Sequence, residues 1–129
     1  GMMTFEDSLG ICRFNGRMNL VLESEAVSAV TGWGFTPEEA KGVGLRAVNL
    51  MKAFNIRAGM TRESDRPSTR YGSTPVDGPS KDQSIAPHWE KMLDNYYRLM
   101  GWDVETGKPL PETLRKLGLE HVIKDLWEA

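Results

Sequence analysis

Cysteine is nearly absent from this 129-residue chain: Cys12 is the only one, and histidine is limited to His88 and His121. One thiol cannot close an internal disulfide, which fits a reducing cytoplasm. It cannot build a zinc site either, since that needs several Cys or His ligands at short spacing. A nucleophilic cysteine needs a histidine base in reach, and both histidines stand far along the chain in predicted helices. No apolar run approaches the roughly 18 residues that mark a membrane span. No basic region followed by an apolar stretch opens the chain, so no secretory signal is read. An excess of charge is missing as well. Sixteen Lys and Arg stand against 18 Asp and Glu, a net charge of -2, which is not the basic footprint of a general nucleic-acid binder. Sustained strand alternation, internal repeats and low-complexity tracts are all lacking.

The residues that are present suit one helical domain. At 40% hydrophobic and 26% charged, the chain has enough apolar material to bury a core. Gly1 ahead of Met2 reads as a remnant of tag removal, with Met2 as the native start. Met2 to Leu9 is short and mixed, with Gly10 placed to end a helical turn, and residues 12–19 read as loop. Leu20 to Val30 makes a short helix with Leu22, Ala26, Ala29 and Val30 on its inner side. Thr36, Pro37 and Glu39 form a capping box with proline at the first helical position. The helix they open runs to about Ile56, and Ala40, Val43, Ala47, Leu50, Met51 and Phe54 form its apolar stripe. Gly42 and Gly44 inside it suggest a close backbone approach, and Gly59 ends it. Residues 60–86 are an extended loop rich in Pro, Gly, Ser and Thr. It reads as a solvated arm, or more sharply as an arm lying on another part of a larger enzyme. Pro87 opens a helix with Trp89, Met92, Leu93, Tyr96, Tyr97 and Met100 along one face, and Gly101 closes it. Short helices follow at Pro111–Leu117 and around Val122–Trp127.

Taken singly, the chemistry-bearing residues are modest. A lone cysteine is most often a small buried hydrophobe. Tyr96 and Tyr97 sit at helical spacing and read as core. Glu38 and Glu39 stand at a helix start, where the dipole favours negative charge.

In combination they carry a resemblance. Asp7-Ser8-Leu9-Gly10-Ile11-Cys12 is similar to the D-x-x-G-L-C segment of the tungsten-dependent aldehyde:ferredoxin oxidoreductases. Tyr96-Tyr97-Arg98-Leu99-Met100-Gly101-Trp102-Asp103, Thr106-Gly107-Lys108-Pro109 and Leu117-Gly118-Leu119 resemble that family's Y-Y-x-L-R-G-W-D … G-x-P … L-x-x-L-G-L ending. Ala29-Val30-Thr31-Gly32-Trp33 with Thr36-Pro37-Glu38-Glu39, and Phe54-Asn55-Ile56-Arg57 with Gly59, Arg62 and Asp65, match further stretches in the same order. The resemblance runs from about Asp7 to about Leu126. It departs where Ile11 replaces leucine, where Met100 replaces arginine, and where Ser64, Asp65, Arg66 and Pro67 stand in place of a second aspartate and a leucine.

The resemblance implies an all-α fold like the C-terminal helical part of that oxidoreductase. It implies one domain over residues 1–129, with residues 1–19 near the cofactor and an extended loop at about 60–86. It implies oxidation of aldehydes to carboxylic acids at a tungstopterin or molybdopterin, with electrons leaving through a 4Fe-4S cluster to ferredoxin. Asp7 is then the pterin acceptor, Gly10 allows close backbone approach, Ile11 flanks the pterin, and Cys12 is one of four thiolates on the cluster. The other three lie upstream in the family. The chain alone is therefore expected to bind no cofactor and to be inactive without the large N-terminal part as partner. The competing expectation is a stand-alone helical interaction or regulatory domain without redox activity. No nucleic acid or membrane is implied.

Overall fold

The computed structural model describes residues 1–16 and 18–128 and, among these, contains eight α-helices and no strand. They are α1 (Met2–Ser8), α2 (Arg13–Gly16), α3 (Leu20–Thr31), α4 (Pro37–Arg57), α5 (Thr69–Gly72), α6 (Trp89–Met100), α7 (Pro111–Lys116) and α8 (Ile123–Trp127). The all-α expectation holds. The segment 12–19, expected as loop, holds the single turn α2.

The longest element, α4, starts where its sequence directs. Glu39 N–H donates to Thr36 Oγ1 at 3.2 Å, and Thr36 N–H donates back to Glu39 Oε2 at 2.8 Å. Those bonds hold the Glu39 carboxyl below the usual carboxylate range. Two of the helix's first orphan donors are thereby satisfied.

Helix α4 is the spine of the fold. Near its middle Gly44 lies under the Gly1 carbonyl, and a Cβ there would run into it. This is how α1 packs on α4 so closely, and it accounts for one of the two helical glycines. Gly42 faces open space. Further along, α4 packs against two apolar clusters. One gathers Ala53, Leu114, Leu119, Val122 and Leu126, with Ile56, Leu117 and Ile123 alongside. The other is Leu93, Tyr97 and Trp102, flanked by Val48, Trp89, Met100 and Val104. Tyr97 is core, as its spacing predicts, but Tyr96 and Met92 on the same predicted face are half-exposed, because no described element of this chain covers that side of α6. The indole N–H of Trp102 donates to Asn49 Oδ1 at 2.8 Å, and Asn49 Nδ2 donates to the Leu45 carbonyl at 2.9 Å, so this buried amide is used on both sides.

The inward faces of α3 and α4 are not the expected ones. In α3 the buried residues are Glu23 and Ser24, while Val21, Leu22 and Val30 are exposed, Val30 at 87%. In α4 the buried residues are Ala40, Gly44, Asn49, Lys52 and Ala53. Of the predicted stripe only Ala40 is buried; Val43, Leu50, Met51 and Phe54 face solvent, Phe54 at 66%. Helical periodicity identifies a face that excludes water, but it does not say which neighbour covers it.

The loop at 60–86 is mostly exposed, and its beginning is pinned to α6. A 3₁₀ turn at Arg62–Asp65 turns Arg62 and Asp65 toward α4 and α6. Arg62 donates to the Val104 carbonyl, to Glu90 at 2.8 Å and to Asp94 at 2.7 Å, with its guanidinium over the Tyr97 ring. Asp65 accepts from Lys52 Nζ and from the Tyr97 hydroxyl. The Arg62–Asp65 spacing thus has a structural role, a clamp between loop, α4 and α6.

Candidate functional site

The Asp7–Cys12 segment lies at one end of α1. Leu9 remains in helical backbone after α1, and its N–H still reaches the Phe5 and Glu6 carbonyls. Gly10 then turns the chain with φ +68°, a conformation that side-chain-bearing residues rarely adopt. Without that turn α1 would carry Ile11 and Cys12 onward along its axis. With it, Cys12 becomes the first residue of the next turn, and its carbonyl accepts from Asn15 N–H at 2.8 Å and Gly16 N–H at 3.0 Å.

Asp7, Gly10, Ile11 and Cys12 are all exposed, in one short stretch. Cys12 is a free thiol open to solvent. This corrects the expectation, held for a lone cysteine, of a buried hydrophobe. Phe14, two residues on, is 90% exposed. An exposed carboxylate and an exposed thiol around a glycine turn suit an external ligand, and the thiol can serve as one metal ligand. Among the described residues no group of three or more His, Cys, Asp or Glu is placed to hold a metal ion.

Beneath this loop lies a pair of carboxyls that the sequence does not announce. Glu6 and Glu23 are both buried, Glu23 at 2% exposure. Met18 N–H donates to Glu6 Oε1 at 3.0 Å. Gly16 passes so close that a Cβ on it would sit 2.9 Å from Glu23 Oε1 and 3.1 Å from Glu6 Oε1. Burial raises the Glu23 carboxyl above the ordinary carboxylate range, and Glu6, through a side-chain hydrogen bond and its charge, raises it further. The one sequence signal was the Glu6-Asp7 pair at the end of α1, and nothing in the pattern of α3 marks Glu23 as internal.

A second concavity lies away from α1. Lys52, Asp65, Trp89, Met92, Leu93, Tyr96, Tyr97 and Trp102 line it. The Lys52 ammonium sits 5.4 Å from the Tyr97 ring centre and 5.1 Å from that of Trp102. Tyr97 is held well above the usual tyrosine range, first by burial and then by its bond to Asp65. With its charges paired internally, this cluster is a structural joint.

The family model for domains 2 and 3 of aldehyde ferredoxin oxidoreductase matches residues 1–119. The tungsten-containing aldehyde ferredoxin oxidoreductase of Pyrococcus furiosus is 32% identical over 117 residues, covering 88% of this chain. That of Pyrococcus abyssi is 31% identical over 121 residues, covering 91% of this chain. That of Thermococcus kodakarensis is 30% identical over 121 residues, with the same coverage. In each case the chain spans 19% of the relative's length. With an all-helical fold and an exposed Asp-x-x-Gly-x-Cys turn in place, the chain belongs to the aldehyde ferredoxin oxidoreductase family, within its domains 2 and 3.

Proposed function

We propose that this chain is the C-terminal part, or small subunit, of a tungsten- or molybdenum-pterin oxidoreductase that converts aldehydes to carboxylic acids. An aldehyde and water yield the acid, two protons and two electrons. The metal–pterin supplies that oxidation, and a 4Fe-4S cluster carries the electrons toward ferredoxin. This chain contributes the residues of one wall. Asp7 accepts hydrogen bonds from the N–H-rich edge of the pterin. Gly10 keeps the backbone low beside it, and Ile11 flanks the ring. Cys12, as thiolate, completes a cluster shell whose other cysteines come from the remainder of the enzyme. By itself the chain is inactive and holds no cofactor. A reducing cytoplasm suits a lone cysteine that serves as a thiolate ligand.

The observation that carries this reading is the exposure of Cys12, the sole cysteine, on the same glycine turn as Asp7. The competing idea of a self-contained interaction domain leaves unexplained why Phe14, Val30 and Phe54 stand so fully in water. The test is anaerobic purification of the enzyme from its native cells, with iron, tungsten and molybdenum assayed. Cys12→Ala should abolish the cluster's electron paramagnetic resonance signal and lower bound iron while the protein parts still associate. A metal-free chain that elutes alone, or a variant with unchanged iron content, would refute the proposal.

A further inference from the structure

The outward side of α4 is built like an inward one. Counting about 100° per residue, Val43, Ala47, Leu50, Met51 and Phe54 fall within one stripe about 100° wide. Leu50, Met51 and Phe54 are exposed, while Asn49 and Lys52 are buried on the roughly opposite side. A helix that buries Asn49 and Lys52 beside only the small residues Ala40, Gly44 and Ala53, and shows water its leucine, methionine and phenylalanine, carries the pattern of an element covered on two sides. Beside the stripe runs a groove between α4 and α8, with Ala53, Val122 and Leu126 on its floor. An Arg57–Asp125 ion pair at 3.1 Å marks its rim.

We propose that this stripe and groove are a docking surface for the remainder of the oxidoreductase, separate from the Cys12 turn. Leu50 to Phe54 lie six to ten residues beyond Gly44, where α1 crosses, about 9–15 Å farther along the helix. The proposal rests on the oxidoreductase reading, and the occupant follows from length. The matched segment accounts for 19% of each relative, so a mass of protein several times larger sits beside it there. The bound face is apolar at the centre, where Phe54 stands out as a knob, and charged at the rim. That is the layout of a specific interface core with a polar border. The expected occupant therefore presents an apolar pocket to Phe54 and polar groups to Arg57 and Asp125.

The experiment uses Met51 as a reporter. Enzyme purified anaerobically from native cells, and the chain expressed alone, are each treated with dilute peroxide, and Met51 sulfoxide is followed by mass spectrometry. Met51 should oxidise at least tenfold more slowly in the assembled enzyme. Leu50→Asp with Phe54→Asp should reduce the recovered assembly at least tenfold. The thermal midpoint of the chain alone should stay within a few degrees, since both side chains are exposed there. If metal-loaded enzyme forms but Met51 oxidises as fast as in the chain alone, and the double variant assembles normally, the surface is wrong and the oxidoreductase reading stands. If Met51 is protected only because two copies of this chain pair, the occupant is wrong. If the chain elutes from native cells alone and without metal, both readings fall.

Discussion

Replacing Asp65 by alanine should be the most damaging single change in the loop. Its carboxylate is the counter-charge to Lys52, whose side chain is 10% exposed, and it accepts the Tyr97 hydroxyl as well. Removing one member of a buried pair costs about 3–5 kcal/mol, because the other charge is left uncompensated. Two features reduce that figure. Asp65 itself is 26% exposed, and the Lys52 ammonium keeps the faces of Tyr97 and Trp102. About 2 kcal/mol remains for the stranded charge, and the lost acceptor for Tyr97 adds about 1 kcal/mol. Against a whole-domain stability of about 5–15 kcal/mol this is a large share. With a urea dependence near 1.5 kcal/mol per molar, Asp65→Ala should move the midpoint down by about 2 M. Tryptophan fluorescence, to which Trp89 and Trp102 at the joint contribute, reports the transition. The background Lys52→Met removes the charge that Asp65 neutralises, so there Asp65→Ala should cost only about 1 kcal/mol, from the Tyr97 acceptor alone. Half-molar salt should not change the cost, because the pair is shielded from mobile ions. A loss below about 0.5 kcal/mol, or one equal in both backgrounds, would refute the argument that Asp65 exists to hold a buried lysine.

Two further outcomes follow from titrating groups. Glu23 has a raised pKa in the fold, so its favourable contribution is full below about 4.5 and is lost as pH rises through the folded value. Glu23→Gln should therefore stabilise the chain at pH 8 and do so much less at pH 4; equal shifts in thermal midpoint at both pH values would refute the raised carboxyl. Tyr97 is also raised, so its contribution is present below the unfolded value near 10 and is lost above it. Stability should fall steeply above pH 10 in the native sequence and more gently in Tyr97→Phe, and a parallel fall in both would contradict the buried phenol–carboxylate bond.

Much of this molecule was legible in its residues. The Thr36–Glu39 capping box, the stop at Gly101 and the start at Pro111 appear as helix boundaries because each is fixed by hydrogen bonds and torsions within a few residues. The Asp7–Cys12 turn was legible for the same reason, since glycine at position 10 permits the bend that sets Cys12 apart from α1. Three features depended on the tertiary structure. The inward faces of α3 and α4 were decided by long-range packing, where Gly44 lets α1 approach and Asn49 finds Trp102 across 53 residues of sequence. The burial of Glu6 with Glu23 depends on α1, α3 and the Gly16 segment meeting. The clamp of Arg62 and Asp65 needs α4 and α6 side by side. Apolar periodicity records that a surface is shielded from water, and in a chain matching about a fifth of a larger enzyme the shield for α4 can come from outside the chain. Local sequence therefore determined where helices begin and end. Only the tertiary structure decided which faces this chain buries by itself and which it leaves exposed.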